Sequence, residues 1–132
     1  METNCLWKAQ WMSVIRLSKT HRMFVITNGI THTQIKRLKQ SGLYKFFEDI
    51  FDSQSIGYQK PKEEFFNYVI SHISEFNRKD ALVIGDSLNT DIKGGLQSGI
   101  DTCWVNRTGQ ISPAEIKSTY TISNLMELTS IC

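Results

Sequence analysis

The chain has 132 residues, 40% hydrophobic and 21% charged, which fits one globular domain long enough to bury a core and leaves no room for a confident second. A net charge of +2 with acids and bases interspersed excludes the strongly basic footprint of a nucleic-acid binder. Cys5, Cys103 and Cys132 lack paired spacing, and no apolar run approaches the roughly 20 residues of a membrane span, so neither a disulfide framework, a zinc site nor a membrane span is supported and a soluble, cytoplasmic protein is expected.

Taken in chain order, Trp7, Trp11, Val14 and Ile15 share one side of a helix at 3.6 residues per turn, so residues 5–19 read as an amphipathic helix. Met23 to Thr27 (MFVIT) is a short β-rich run ended by Asn28-Gly29 and reads as a buried strand. A helix over Thr31 to Gln40 follows, with Lys36, Arg37 and Lys39 as a solvated face, and Ser41-Gly42 ends it. Phe47 to Asp52 (FEDIFD) suits a second strand. After the polar loop SQSIGYQKP, Pro61 is placed to open a helix whose core face is Phe65, Phe66, Val69, Ile70 and Ile73. Then come a strand over Ala81 to Ile84, a helix over Thr90 to Gln97, strands over Asp101 to Val105 and Tyr120 to Ile122, and a short helix over Asn124 to Leu128.

Strands alternate with helices, and the strands are continuous apolar runs, which predicts an α/β fold: a doubly wound parallel sheet with helices on both faces. In such sheets the ligand site lies at the carboxyl ends of the strands. Three groups of polar residues fall there. Thr27, Asn28 and Gly29 end the first strand, Lys60 sits in the loop after the second, and Asp86 ends the third with Asp91 on the following turn.

Each group has a plain structural explanation when taken singly: a strand-to-turn ending, a solvated lysine, a helix cap. Their chemistry as a set is more specific. Two carboxylates at one strand end suit Mg²⁺, which favours one or two carboxylates plus water and phosphate oxygens. A threonine hydroxyl with backbone N–H groups can hold phosphate oxygens, and a lysine can neutralise the same charge. His21, His32 and His72 show no ligand spacing, and Trp104 and Phe65-Phe66 read as core.

The segments FVITNG, YQKPKEEFF and LVIGDSLNTDIKGGLQSGIDTCWVN, in that order, resemble the second, third and fourth motifs of the haloacid dehalogenase (HAD) superfamily, and TNGITHTQIKRLKQSGLYKFFEDIF resembles its pyrimidine-nucleotidase branch. The resemblance implies a Mg²⁺-dependent phosphatase acting on a phosphorylated small molecule, in that branch a nucleotide. Thr27 and the backbone around Asn28 and Gly29 would hold the phosphoryl group. Lys60 would be the catalytic cation, and Asp86 and Asp91 the metal ligands.

The same resemblance exposes a departure. Family members begin with a strand ending in D-x-D-x-T/V, whose first aspartate is the nucleophile, and these 132 residues contain no D-x-D. The cap domain that selects substrate is missing too, so the chain reads as a partial HAD-like core, preceded by residues 1–20 of uncertain origin. Little or no turnover is therefore expected of these residues alone. The alternative is a Mg²⁺- and phosphate-binding module, or a subunit complementing a separate N-terminal piece.

By that analogy the missing strand lies between those at Met23 to Thr27 and Ala81 to Ile84. Either these two close up, or self-association or a complementing chain fills the interval, or the fold belongs to a longer context. Met12 to Leu17 is apolar enough to serve as a strand, although a helix is the preferred reading. A response-regulator receiver is excluded by motif order, since its acidic residues precede the threonine.

Overall fold

The computed structural model describes residues 21–28, 31–124, 127 and 128. The expectations for residues 1–20, including the helix over 5–19 and the alternative strand at Met12 to Leu17, lie outside the described residues, as does Gly29. Every pairing among the described strands is parallel: β1 (Phe24–Thr27) pairs with β2 (Asp49–Asp52), and β3 (Leu82–Gly85) pairs with β4 (Asp101–Val105), which pairs with β5 (Tyr120–Ile122). The helices are α1 (Thr31–Ser41), α2 (Ser53–Ile56), α3 (Glu63–Ser71) and α4 (Lys93–Gln97).

Alternation along each strand sorts side chains onto two faces. Val25 of β1 turns toward α1 and packs with Leu38 and Leu43, while Phe24 and Ile26 turn the other way, into the cluster of Phe51, Phe65, Phe66, Val69 and Ile100. Val83 of β3 enters that second cluster as well. Helix α3 therefore packs against residues of both sheets, and its two buried phenylalanines contribute roughly 1.5–3 kcal/mol each. On the opposite face Leu82 and Ile84 pack with Cys103, Val105, Ile122 and Leu128. The α/β architecture with helices on both faces is as expected.

The strands form two sheets, β1-β2 and β3-β4-β5. Among the described residues β1 and β3 share no ladder, so they do not close up on each other.

Four local features differ from the sequence reading. Two short 3₁₀ turns, Tyr44–Phe46 and Arg78–Asp80, occupy connections that carry no clear periodic signal. The loop after β2 contains α2, capped by Asp52, whose Oδ2 accepts the Ser55 N–H at 2.9 Å, and closed by Gly57 at φ 91°. Helix α3 starts at Glu63 rather than at Pro61, because Lys60 to Lys62 form a turn in which Lys62 N–H bonds the Gln59 carbonyl. The expected helix over Thr90 to Gln97 is preceded by a π-helical turn, Leu88–Ile92, and only then becomes α4.

Two adjacent glycines let α4 lie close on its neighbours. A Cβ at Gly94 would stand 2.1 Å from Phe66 Cε2, and one at Gly95 would stand 2.8 Å from Thr102 Cγ2. The helix accepts two residues of poor propensity because any side chain there would push it off the core.

Candidate functional site

The site forms where the carboxyl ends of β1 and β3 face the Lys60 turn. Strand β1 ends on buried Thr27, and Asn28 follows on the surface. The carboxamide of Asn28 grips the main chain of Lys60 from both sides: Oδ1 accepts the Lys60 N–H at 2.8 Å, and Nδ2 donates to the Lys60 carbonyl at 3.1 Å. The Lys60 side chain then runs back toward the strand. Its ammonium donates to the Ile26 carbonyl, next to Thr27, at 3.1 Å, and forms an ion pair with Asp91 Oδ1.

Asp91 reaches that point from the π-helical turn after β3. Its N–H and that of Ile92 both donate to the Ser87 carbonyl, at 3.1 and 3.2 Å. The carboxylate folds down onto the backbone of Gly85, where a Cβ would stand 2.2 Å from Oδ2. Only glycine leaves room for it. Asp86, the next residue, is exposed, and its carbonyl accepts a hydrogen bond from Trp104 Nε1 at 3.1 Å. That bond anchors the Asp86 main chain to β4.

Lys60 and Asp91 are each only 3% exposed at the side chain. Burying two charges costs several kcal/mol per ion, which the pair recovers only through close contact and further hydrogen bonds. The additional bond from Lys60 to Ile26 meets part of that requirement. Such a pair is an expensive way to stabilise a fold, and an economical way to hold a charge at a fixed place.

Of the residues singled out in the sequence, Lys60 and Asp91 are thus in direct contact, Thr27 adjoins the carbonyl that Lys60 grips, and Asp86 adjoins the glycine beneath Asp91. The Asn28 side chain is engaged with Lys60. The Ile26 carbonyl and the capping role of Asp52 were not singled out from the sequence. A main-chain acceptor has no signature there, and an aspartate closing an apolar strand reads equally as a turn.

Among the described residues no group of three acidic, histidine or cysteine side chains could hold a metal. The carboxylates of Asp86, directly after β3, and of Asp91, on the following turn, are hard oxygen donors of the kind Mg²⁺ takes. The Gly85 backbone leaves the space into which Asp91 folds. His72 stacks on Tyr68, with ring centroids 3.9 Å apart, and Cys103 is buried. No helix among the described residues is long and apolar enough to cross a membrane.

Comparison with known proteins agrees with this geometry. The family model described as "Haloacid dehalogenase-like hydrolase" matches residues 13–105. YfnB of Bacillus subtilis is 48% identical over 118 residues, covering 89% of this chain and 50% of YfnB. The pyrimidine 5'-nucleotidase YjjG of Escherichia coli is 35% identical over 107 residues, covering 81% of this chain and 48% of YjjG.

Among solved structures, magnesium-bound YfnB superposes with a TM-score of 0.90 at 46% identity, over 92% of this chain and 53% of that one. A HAD phosphatase from Thermococcus onnurineus gives 0.86 at 26% identity, over 96% of this chain and 57% of its own. The chain spans about half the length of the curated relatives it matches. With residues of three motifs meeting beside the carboxyl ends of β1 and β3 and a family model over most of its length, the chain belongs to the haloacid dehalogenase-like hydrolases.

Proposed function

We propose that these residues form the phosphate- and metal-holding half of a cytoplasmic, Mg²⁺-dependent phosphatase for phosphate monoesters of the nucleotide class. The observation that carries this reading is the placement of the Lys60 ammonium between the Ile26 carbonyl at the end of β1 and Asp91 at the end of β3. Phosphoryl transfer asks a protein mainly to position the group and neutralise its charge. Lys60 brings a fixed cation to that point, and Thr27 with the backbone after it brings donors for phosphate oxygens.

Asp86 and Asp91 would hold Mg²⁺, which when bound supplies charge neutralisation at the phosphoryl oxygens. The nucleotide class rests on likeness to YjjG and to PynA of Streptococcus pneumoniae, which is also a pyrimidine 5'-nucleotidase. The 132 residues contain no D-x-D, so the attacking carboxylate would come from outside them.

Calorimetric titration with MgCl₂ and orthophosphate, beside a p-nitrophenyl phosphate assay, tests the reading. Binding of both ligands with negligible turnover is expected. Absence of binding would overturn the site, and robust turnover would overturn the assignment of the nucleophile to another segment.

A second reading, a subunit completed by another piece, is favoured by one observation: β1 and β3 do not pair with each other. A peptide carrying an apolar strand ended by D-x-D-x-T, added to the chain, would then bind and raise turnover. Unchanged turnover and no binding would count against complementation.

A further inference from the structure

Resting on the proposed phosphate site, we infer that Asn28 is a positioning residue for Lys60, and that its side chain serves the site through that lysine rather than by touching the phosphoryl group.

The residues are 32 apart in sequence, yet one carboxamide meets both main-chain polar groups of Lys60, at 2.8 and 3.1 Å. Both bonds use a planar amide in its natural orientation, oxygen to N–H and NH₂ to carbonyl. Lys60 also returns a bond to the same strand, from Nζ to the Ile26 carbonyl two residues before Asn28. Main chain and side-chain tip of Lys60 are thus tied to one short segment of β1 and the residue after it.

The closed arrangement gives a flexible four-carbon side chain a fixed base and a fixed end. An ammonium so held loses less rotamer freedom when a ligand arrives. Without Asn28 the Lys60 turn would keep Lys62 N–H bonded to Gln59, but nothing described would fix the Lys60 main chain against β1. Alanine lacks both groups, and glutamine is one methylene too long for the same pair of bonds. Supporting groups of this kind are commonly worth about tenfold or more in the affinity of the site they orient.

The experiment compares the full chain with Asn28→Ala, Lys60→Met and the double variant, using orthophosphate with MgCl₂ as the probe and amide hydrogen exchange of Lys60 as a second readout. Asn28→Ala is expected to weaken phosphate binding about tenfold and to speed exchange of the Lys60 amide by a similar factor or more. The double variant should bind no more weakly than Lys60→Met, because the two losses are one loss.

Additive losses would overturn the assignment, showing that Asn28 meets phosphate on its own account. Full affinity in Asn28→Ala, or unchanged Lys60 exchange, would overturn it too, and the exchange arm stands even where Lys60→Met does not fold. Failure of the wild-type chain to bind phosphate would remove the phosphate reading and this one together. Loss of affinity confined to Lys60→Met would remove this one alone.

Discussion

Lys60 and Asp91, 31 residues apart, meet as a buried ion pair that joins the turn after α2 to the turn after β3. Removing one partner strands the other charge inside the protein. Lys60→Met is expected to lower unfolding stability by about 3–5 kcal/mol, with Lys60→Met/Asp91→Leu recovering much of the loss because no lone charge remains. Urea unfolding of the two variants and the parent chain measures this. A double variant as unstable as the single one would show that the cost lies in packing and not in charge.

The close approach of α4 makes a steric prediction. Alanine at position 94 would gain roughly 1 kcal/mol of helix propensity but place its Cβ 2.1 Å from the Phe66 ring. Overpacking of that kind costs about 1–3 kcal/mol, so Gly94→Ala is expected to be net destabilising. Trimming the ring in Gly94→Ala/Phe66→Leu should return part of the loss. Thermal unfolding of both variants decides it, and a stabilised Gly94→Ala would mean that α4 has room to move.

These two cases mark what was legible in the sequence. The apolar runs FVIT and LVIG announced strands because buried parallel strands need no alternation, and Gly94-Gly95 inside the expected helix over Thr90 to Gln97 carry a propensity cost that close packing offsets. The convergence of Lys60 on Asp91 could be expected only through motif order, since neither residue carries local information about the other.

The Asn28 carboxamide had no such signal. An asparagine after a strand is an ordinary turn residue until the chain folds back 32 residues later and presents a main chain to it. Helix α3 starts two residues after Pro61 for a related reason. Pro61 suits a first helical turn locally, but the Lys60 turn is committed to β1.

Acid should weaken one surface link specifically. Arg22 Nε and Nη2 donate to the two Glu48 carboxylate oxygens at 2.8 and 3.1 Å, and Nη1 donates to the Ser74 carbonyl at 2.6 Å. The guanidinium bonds hold the Glu48 carboxyl below its ordinary value of 4.5. A carboxylate with a depressed folded pKa stabilises the fold above its unfolded value, and the contribution is lost as pH falls through the folded one.

Stability should therefore decline as the solution is acidified below about pH 4.5. Glu48→Gln should flatten that part of the curve, and added salt should shrink the difference because both groups are exposed. Melting temperatures of the two proteins across that range, at low and high salt, provide the measurement. Parallel curves would show that Glu48 contributes nothing to the acid limb.

The two aspartates at the end of β3 should separate cleanly when neutralised. Asp86 is exposed and ties itself to Trp104 through its carbonyl, which a side-chain change leaves in place. Asp86→Asn is expected to keep stability within about 0.5 kcal/mol of the parent while removing most Mg²⁺ affinity, since one of the two carboxylates offered to the ion is gone. Asp91→Asn should lose both, because it also leaves the Lys60 ammonium buried without its counter-charge. Magnesium calorimetry and urea unfolding on the same two variants test the division. Mg²⁺ affinity unchanged in Asp86→Asn would take that residue out of the metal site, and full stability in Asp91→Asn would show that the hydrogen bond from Lys60 to Ile26 suffices to keep the ammonium in place.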